Sequence, residues 1–179
     1  HGRTYGSLSA TGIPSYPAYL NTPVPGHRIV PAKDAATAVS EKTAAVLVEP
    51  IQSLGGIKPV PVEWLAEMRQ ACTDHGALLI FDEVQLGVGR TGRFLYSGIN
   101  GVYPDMVTLA KGIASGFPTA ALLVTEAVAV RVKSGDLGTT FGGGPLACAC
   151  IEATLDILRD EQILDNVRHV SGYLKKALE

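Results

Sequence analysis

Charge is scarce in this chain. Only 18% of its 179 residues are acidic or basic, and the formal balance is −2. So weak a balance gives no reason to expect nucleic acid or an anionic membrane surface as a partner. No apolar run approaches the ~18 residues that a membrane-spanning helix needs. Cysteine is limited to Cys72, Cys148 and Cys150, an odd count without CxxC spacing, which argues against a disulfide framework or a zinc site. These three read as small, buried apolar residues in a reducing cytoplasm. The histidines, at positions 1, 27, 75 and 169, are too scattered to suggest metal ligation. There is no signal-peptide pattern and no initiating Met; the chain opens on His1. What is plentiful is apolar: 46% of residues are hydrophobic, enough for one globular domain with a sizeable core.

From residue 44 onward the apolar residues alternate between two kinds of segment. "AAVLVEP" (44–50), "ALLIFDE" (77–83), "DMVTLAKG" (105–112) and "TAALLVT" (119–125) are short runs closed by turn or polar residues, and read as buried strands. "PVEWLAEMRQACTDHG" (61–76) has Pro at one end, Gly at the other and Trp64, Leu65, Met68, Ala71 and Cys72 on one helical face. A helix is expected from the cap Thr125. Another is expected from Pro145, with Ala147, Ile151, Leu155 and Leu158 as its inner stripe, and a last from about 160 to the end, carried by Ile163, Val167, Val170, Leu174 and Leu178. Residues 12–33, rich in Pro, Tyr and Gly, are expected to be irregular. Strands without polar alternation, separated by helices, predict an α/β fold: three layers, a mainly parallel sheet with helices on both faces.

In open α/β sheets ligands bind outside the carboxyl ends of the strands. Three strand ends here carry polar groups: Glu49, Asp82 and Lys111. Asp82, at the tip of "LLIFD", can cap the following turn, hold magnesium as a Walker B acid, or meet a cationic ring nitrogen. The Walker reading needs GxxxxGK[ST] upstream, and residues 1–81 contain none. Lys111 is either a solvated loop lysine or a desolvated amine that loses its proton readily and attacks an aldehyde. Pyridoxal phosphate chemistry uses such a pair, a lysine for the aldehyde carbon and an Asp for the ring nitrogen. "GTTFGGGP" (138–145), a Gly-rich turn before a helix, is a candidate for the cofactor's phosphate.

Taken together, "HGRTYGSLSATG" (1–12), "VLVEPIQ" (46–52), "LLIFDEVQLGVGRTG" (78–92), "PDMVTLAKGIASGFP" (104–118) and "TTFGGGPLACA" (139–149) resemble the class III aminotransferases. These are fold type I pyridoxal phosphate enzymes, and the likeness is to the acetylornithine and ornithine aminotransferase branch. The stretches fall in family order along almost the whole chain. The resemblance implies that Lys111 binds the cofactor covalently and then moves a proton as general base and acid. It implies that Asp82 pairs with the pyridine nitrogen, that Val84 packs on the ring, and that Gln85 bonds near its phenolic oxygen. Thr140 would bind the phosphate, in this family usually that of the neighbouring subunit, which implies a homodimer. Arg3 resembles an arginine that grips a substrate carboxylate, with a surface role beside a terminus as the alternative. Glu49 resembles an active-site glutamate, with a structural strand-end role as the alternative. Period-2 geometry sets Asp82 and Val84 on one side and Glu83 on the other, so Glu83 is expected to be structural.

The implied reaction moves an amino group from an amino acid or ω-amine to a 2-oxo acid, 2-oxoglutarate being the expected acceptor. Rival readings are an aminomutase of the same fold, a non-catalytic scaffold, and a P-loop nucleotidase resting on "LLIFDE" alone. Two departures from the family text stand out. Leu54 occupies the place of a glutamate that, in the ornithine and γ-aminobutyrate branches, pairs with a C-terminal arginine and gates the amino donor; a leucine cannot form that ion pair. Gly144 replaces a common Asn. Family members are also longer, which implies that residues 1–158 are the central part of the cofactor-binding large domain. Residues 159–179 would then be a helix leading towards a small C-terminal domain.

Overall fold

The computed structural model describes residues 1–16, 22–98, 101–140 and 142–179. They fall into two units, His1–Asp82 and Glu83–Glu179.

In the first unit, Thr4 and Ser7 form a capping box, the Thr4 N–H donating to Ser7 Oγ at 3.0 Å, and open the short helix α1 (Tyr5–Ser9). The next segment is irregular as expected until a 3₁₀ turn begins at Ala32; positions 17–21 of it lie outside the described residues. After α2 (Ala35–Ala38) comes β1 (Ala45–Val48), then a small antiparallel pair, β2 (Ile51–Gln52) with β3 (Lys58–Pro59). Helix α3 (Val62–His75) follows. Pro61 is its N-cap, where its missing N–H costs nothing, and Gly76 ends it in the left-handed region at φ 68°. Its buried residues Leu65, Met68 and Cys72 hold one face, and the helix packs on α2, β1 and the strand that follows, β4 (Leu78–Asp82). Burying each such side chain contributes about 1.5–3 kcal/mol. β4 runs parallel to β1, Ala45 facing Leu78 and Val48 facing Phe81. That is the parallel crossover expected from "AAVLVEP", helix, "ALLIFDE".

In the second unit β5 (Met106–Leu109) leads into a 3₁₀ turn, Lys111–Ala114, and then pairs antiparallel with β6 (Ala121–Val124), Leu109 facing Ala121. Thr125 caps the single-turn helix α4 (Glu126–Ala129). Two longer helices end the chain, α5 (Pro145–Asp160) and α6 (Ile163–Leu178), separated by a corner in which Gln162 is left-handed at φ 51°. The core is Val107, Leu109, Ile113 and Ala114, covered by Phe94, Phe117, Cys150 and Ile151. Helix α5 packs on the 3₁₀ turn. There Ser115 Oγ and Thr154 Oγ1 share a 3.1 Å hydrogen bond, and Thr154 also donates to the Cys150 carbonyl at 2.7 Å.

The class is α/β, as the sequence predicts, but several burial readings need correction. In β1, Ala45 and Leu47 are exposed, and in β6, Leu122, Leu123 and Val124 are exposed. Apolar strand composition calls for cover on both faces, and these positions do not receive it. On α5 the buried positions are Ala147 and Thr154, whereas Leu155 is exposed. Thr154 takes the inner place because its hydroxyl is satisfied by Cys150 and Ser115. Cys148 is exposed, Cys150 half-buried and only Cys72 buried; all three are free thiols. No residue of α6 is buried. Among the described residues no helix is long and apolar enough to cross a membrane.

Candidate active site

The first unit carries a buried carboxylate at the C-terminal end of β4. Asp82 is 6% exposed, and its Oδ2 lies 2.7 Å from Nδ1 of His1. The imidazole donates in this contact in the tautomer that carries the proton on Nδ1. The same Nδ1 stands 4.0 Å from Glu49 Oε1. Glu49 Oε2 in turn accepts the Ser53 N–H at 3.1 Å. One oxygen of Glu49 therefore closes the turn after β1 while the other faces His1, so the structural reading of this residue has a physical basis. The main-chain nitrogen of His1 also lies 3.1 Å from Thr11 Oγ1. Sequence reasoning treated the histidines as scattered and missed His1. The available signal was its position at the head of the "HGRT" stretch.

Arg3 is exposed and turned onto Tyr16. Nη2 donates to the Tyr16 hydroxyl at 2.8 Å, and the guanidinium lies 4.5 Å from the ring centroid. This is a cation–π contact with a hydrogen bond added, and in this arrangement the arginine faces a tyrosine rather than an open anion site.

The second unit begins with the other acid. Glu83 is 1% exposed, and its two oxygens accept the backbone N–H groups of Tyr96 at 2.6 Å and Ser97 at 2.7 Å. Its own N–H donates to Thr108 O at 3.1 Å. Glu83 thus staples the loop at 96–97 to the end of the strand, the structural part expected of it. Val84 and Gln85 are half-buried and line a hollow of about 290 Å³ together with Lys111, Gly112 and Arg90. A second hollow, of about 560 Å³, shares Arg90, Lys111 and Gly112 and adds Phe117 and Thr119.

Lys111 differs from the desolvated lysine that its strand-end position suggests. It is exposed, and it sits one residue past Ala110 at φ 50°, in the left-handed region. A non-glycine residue rarely adopts that backbone, at a cost of order 1–3 kcal/mol, and such residues cluster at functional sites. The turn swings the lysine out of the strand line, so its amine opens onto the hollows instead of the core. Thr140 is exposed in the segment before α5 and lines neither hollow; its neighbour Phe141 lies outside the described residues.

The chain belongs to the class-III aminotransferase family, whose model matches residues 1–179. It is 43% identical over 181 residues to the acetylornithine aminotransferase of Mesorhizobium japonicum, covering 99% of this chain and 45% of that protein. It is 44% identical over 180 residues to the mitochondrial acetylornithine aminotransferase of Yarrowia lipolytica, covering 99% of this chain and 43% of the relative. Among solved structures, an ornithine aminotransferase from Toxoplasma gondii with partial occupancy of PLP at its active site superimposes with a TM-score of 0.86 at 31% identity, over 99% of this chain and 43% of that one. A Bacillus anthracis aminotransferase gives 0.89 at 29% identity, over 99% and 46%. The chain thus spans less than half the length of the relatives it matches.

Proposed function

We propose that the protein carrying this chain is a pyridoxal phosphate-dependent aminotransferase that moves an amino group from an amino acid or ω-amine to a 2-oxo acid, 2-oxoglutarate in the first instance. The observation that carries this reading is Lys111, a primary amine held out of line with its strand and opening onto a hollow whose lining, among the described residues, includes no carboxylate. A primary amine with no acid beside it among the described residues is open to covalent capture by an aldehyde. The chemistry of the donor set fits the cofactor: an amine for the aldehyde, and in Asp82 a buried anion suited to a protonated ring nitrogen.

Pyridoxal phosphate, when bound, supplies an electron sink for the pair released at the substrate carbon. The chain's own residues do the rest. Lys111 would hold the cofactor through its amine and would serve as the general base and then the general acid for a proton at the substrate carbon. Asp82 would keep the ring nitrogen charged, with His1 holding that carboxylate in orientation. Val84 would supply an apolar wall, Gln85 a hydrogen bond to the ring oxygen, and Thr140 a hydroxyl for a phosphate, in a homodimer that of the partner. Arg3 and Glu49 are assigned to the substrate side; for Arg3 this requires release from Tyr16. Residues 1–158 are assigned to the large domain and 159–179 to a helix leading towards a small one. The free thiols suit a reducing compartment, and the cytoplasm is proposed.

The test is direct. Adding pyridoxal phosphate to the protein that carries this chain should give a visible absorption band, and borohydride should then leave a stable mass increment on the peptide containing Lys111. Lys111→Ala should abolish both. An unchanged band in that variant, or a label on another lysine, overturns the proposal.

A further inference from the structure

Spacing along the chain offers no metal-ligand pattern among the histidines, but the fold builds one across two strands. β1 and β4 are parallel neighbours with Val48 facing Phe81. The next positions, Glu49 and Asp82, therefore stand side by side at the carboxyl edge of the sheet. His1 lies against both. Its Nδ1 is 2.7 Å from Asp82 Oδ2 and 4.0 Å from Glu49 Oε1. One ligand atom from each of the three residues falls within 4.8 Å of the others. All three belong to the His1–Asp82 unit.

A single imidazole here serves two carboxylates, and its Nδ1 proton reaches Asp82 but not Glu49. Glu49 Oε2 is held by the Ser53 N–H, whereas Oε1 accepts no hydrogen bond among the described residues. The side chains of His1, Glu49 and Asp82 are 15%, 18% and 9% exposed, so water screens the two acids poorly. An imidazole nitrogen with two carboxylate oxygens is a zinc-type donor set, whereas calcium takes a shell of oxygens alone. With Zn–N and Zn–O bonds of ~2.0–2.2 Å, tetrahedral ligand atoms sit ~3.4 Å apart. The separations of 2.7 and 4.0 Å straddle that spacing. The ion would take the place of the proton between Nδ1 and Oδ2, and three protein ligands would leave a fourth position open to water.

We propose that His1, Glu49 and Asp82 form a zinc site in the cofactor-free protein. In one respect this rests on the aminotransferase reading: Asp82 cannot serve both the ion and a protonated ring nitrogen, so zinc and pyridoxal phosphate exclude each other. Zinc then acts as a brake on cofactor loading.

The experiment titrates zinc against a chromophoric chelator in the cofactor-free protein that carries this chain, as wild type, His1→Gln, Glu49→Gln, Asp82→Asn and Cys148→Ser. Each change in the trio should weaken zinc by at least ~10-fold, since even the outer partners of a metal site are worth ~10- to 100-fold. Cys148→Ser removes the exposed thiol and should bind as wild type does. Cobalt in place of zinc should give visible bands without a thiolate charge-transfer band, a readout that needs only the wild type. Circular dichroism shows which variants fold. No zinc uptake by the wild type, unchanged affinity in folded Glu49→Gln, a thiolate band, or loss in Cys148→Ser alone overturns the site. Competition is measured separately. Zinc should raise the pyridoxal phosphate concentration needed for borohydride labelling of Lys111, and Glu49→Gln should remove that dependence. Equal labelling with and without bound zinc overturns the exclusion. Because the zinc titration contains no cofactor, its result stands even if Lys111→Ala shows that the aminotransferase reading is wrong.

Discussion

His1 Nδ1 and Asp82 Oδ2 lie 2.7 Å apart although 81 positions separate them in the chain. The pair is mostly shielded from water, so breaking it removes a hydrogen bond that solvent replaces only in part. A double-mutant cycle of His1→Ala and Asp82→Ala, followed by urea unfolding, should return a coupling of ~1–2 kcal/mol. Nitrogen NMR should show the His1 proton on Nδ1. A coupling near zero would mean that the two side chains are neighbours without being partners.

Glu83 offers the sharpest contrast with its neighbour. Its carboxylate is buried and accepts two backbone N–H groups. Glu83→Gln puts an amide N–H against one of those donors and should lower stability by ~1–3 kcal/mol. Amide exchange at Tyr96 and Ser97 should speed up. Cofactor capture at Lys111, measured on the folded fraction, should change far less than in an Asp82 variant; an equal loss would put Glu83 in the chemistry.

Thr91 makes the opposite prediction. Its Oγ1 is buried and has no hydrogen-bond partner among the described residues. Replacing an unsatisfied hydroxyl by an apolar group of the same shape is close to neutral or stabilising. Thr91→Val should therefore leave the melting temperature unchanged or raise it. A fall of several degrees would show that the hydroxyl is bonded in solution.

Gly89 should tolerate nothing larger. Alanine there meets both the φ of 88° and Leu164 Cδ2 at 2.6 Å. The end of a leucine can move, so the backbone term dominates and the expected loss is about 1–2 kcal/mol. Full stability in that variant would show that Gly89 is not confined in this way.

The lattice of elements was legible because periodicity and punctuation agree. Pro61, a helical stripe and Gly76 specify α3, and the apolar run 78–82 specifies β4. Burial was less legible, since it depends on what covers a face rather than on the face itself. Leu122 and Leu155 have core-like chemistry and solvent-exposed positions. Asp82 and Lys111 were found through the pattern of strand ends, and the different environment of Glu83 followed from the two-residue repeat of a strand. His1 escaped because one imidazole has no spacing to read, and its meaning comes only from a contact across 81 positions. The left-handed backbone of Lys111 was equally invisible: nothing in "TLAKGIA" marks φ at that residue.

That backbone has a consequence for anyone who would engineer the protein. Glycine is the residue that adopts φ 50° without steric penalty, so Lys111→Gly should relax the bend while deleting the amine. Selection for heat resistance alone would therefore favour losing the amine, and thermal endurance and the proposed chemistry pull this one position in opposite directions.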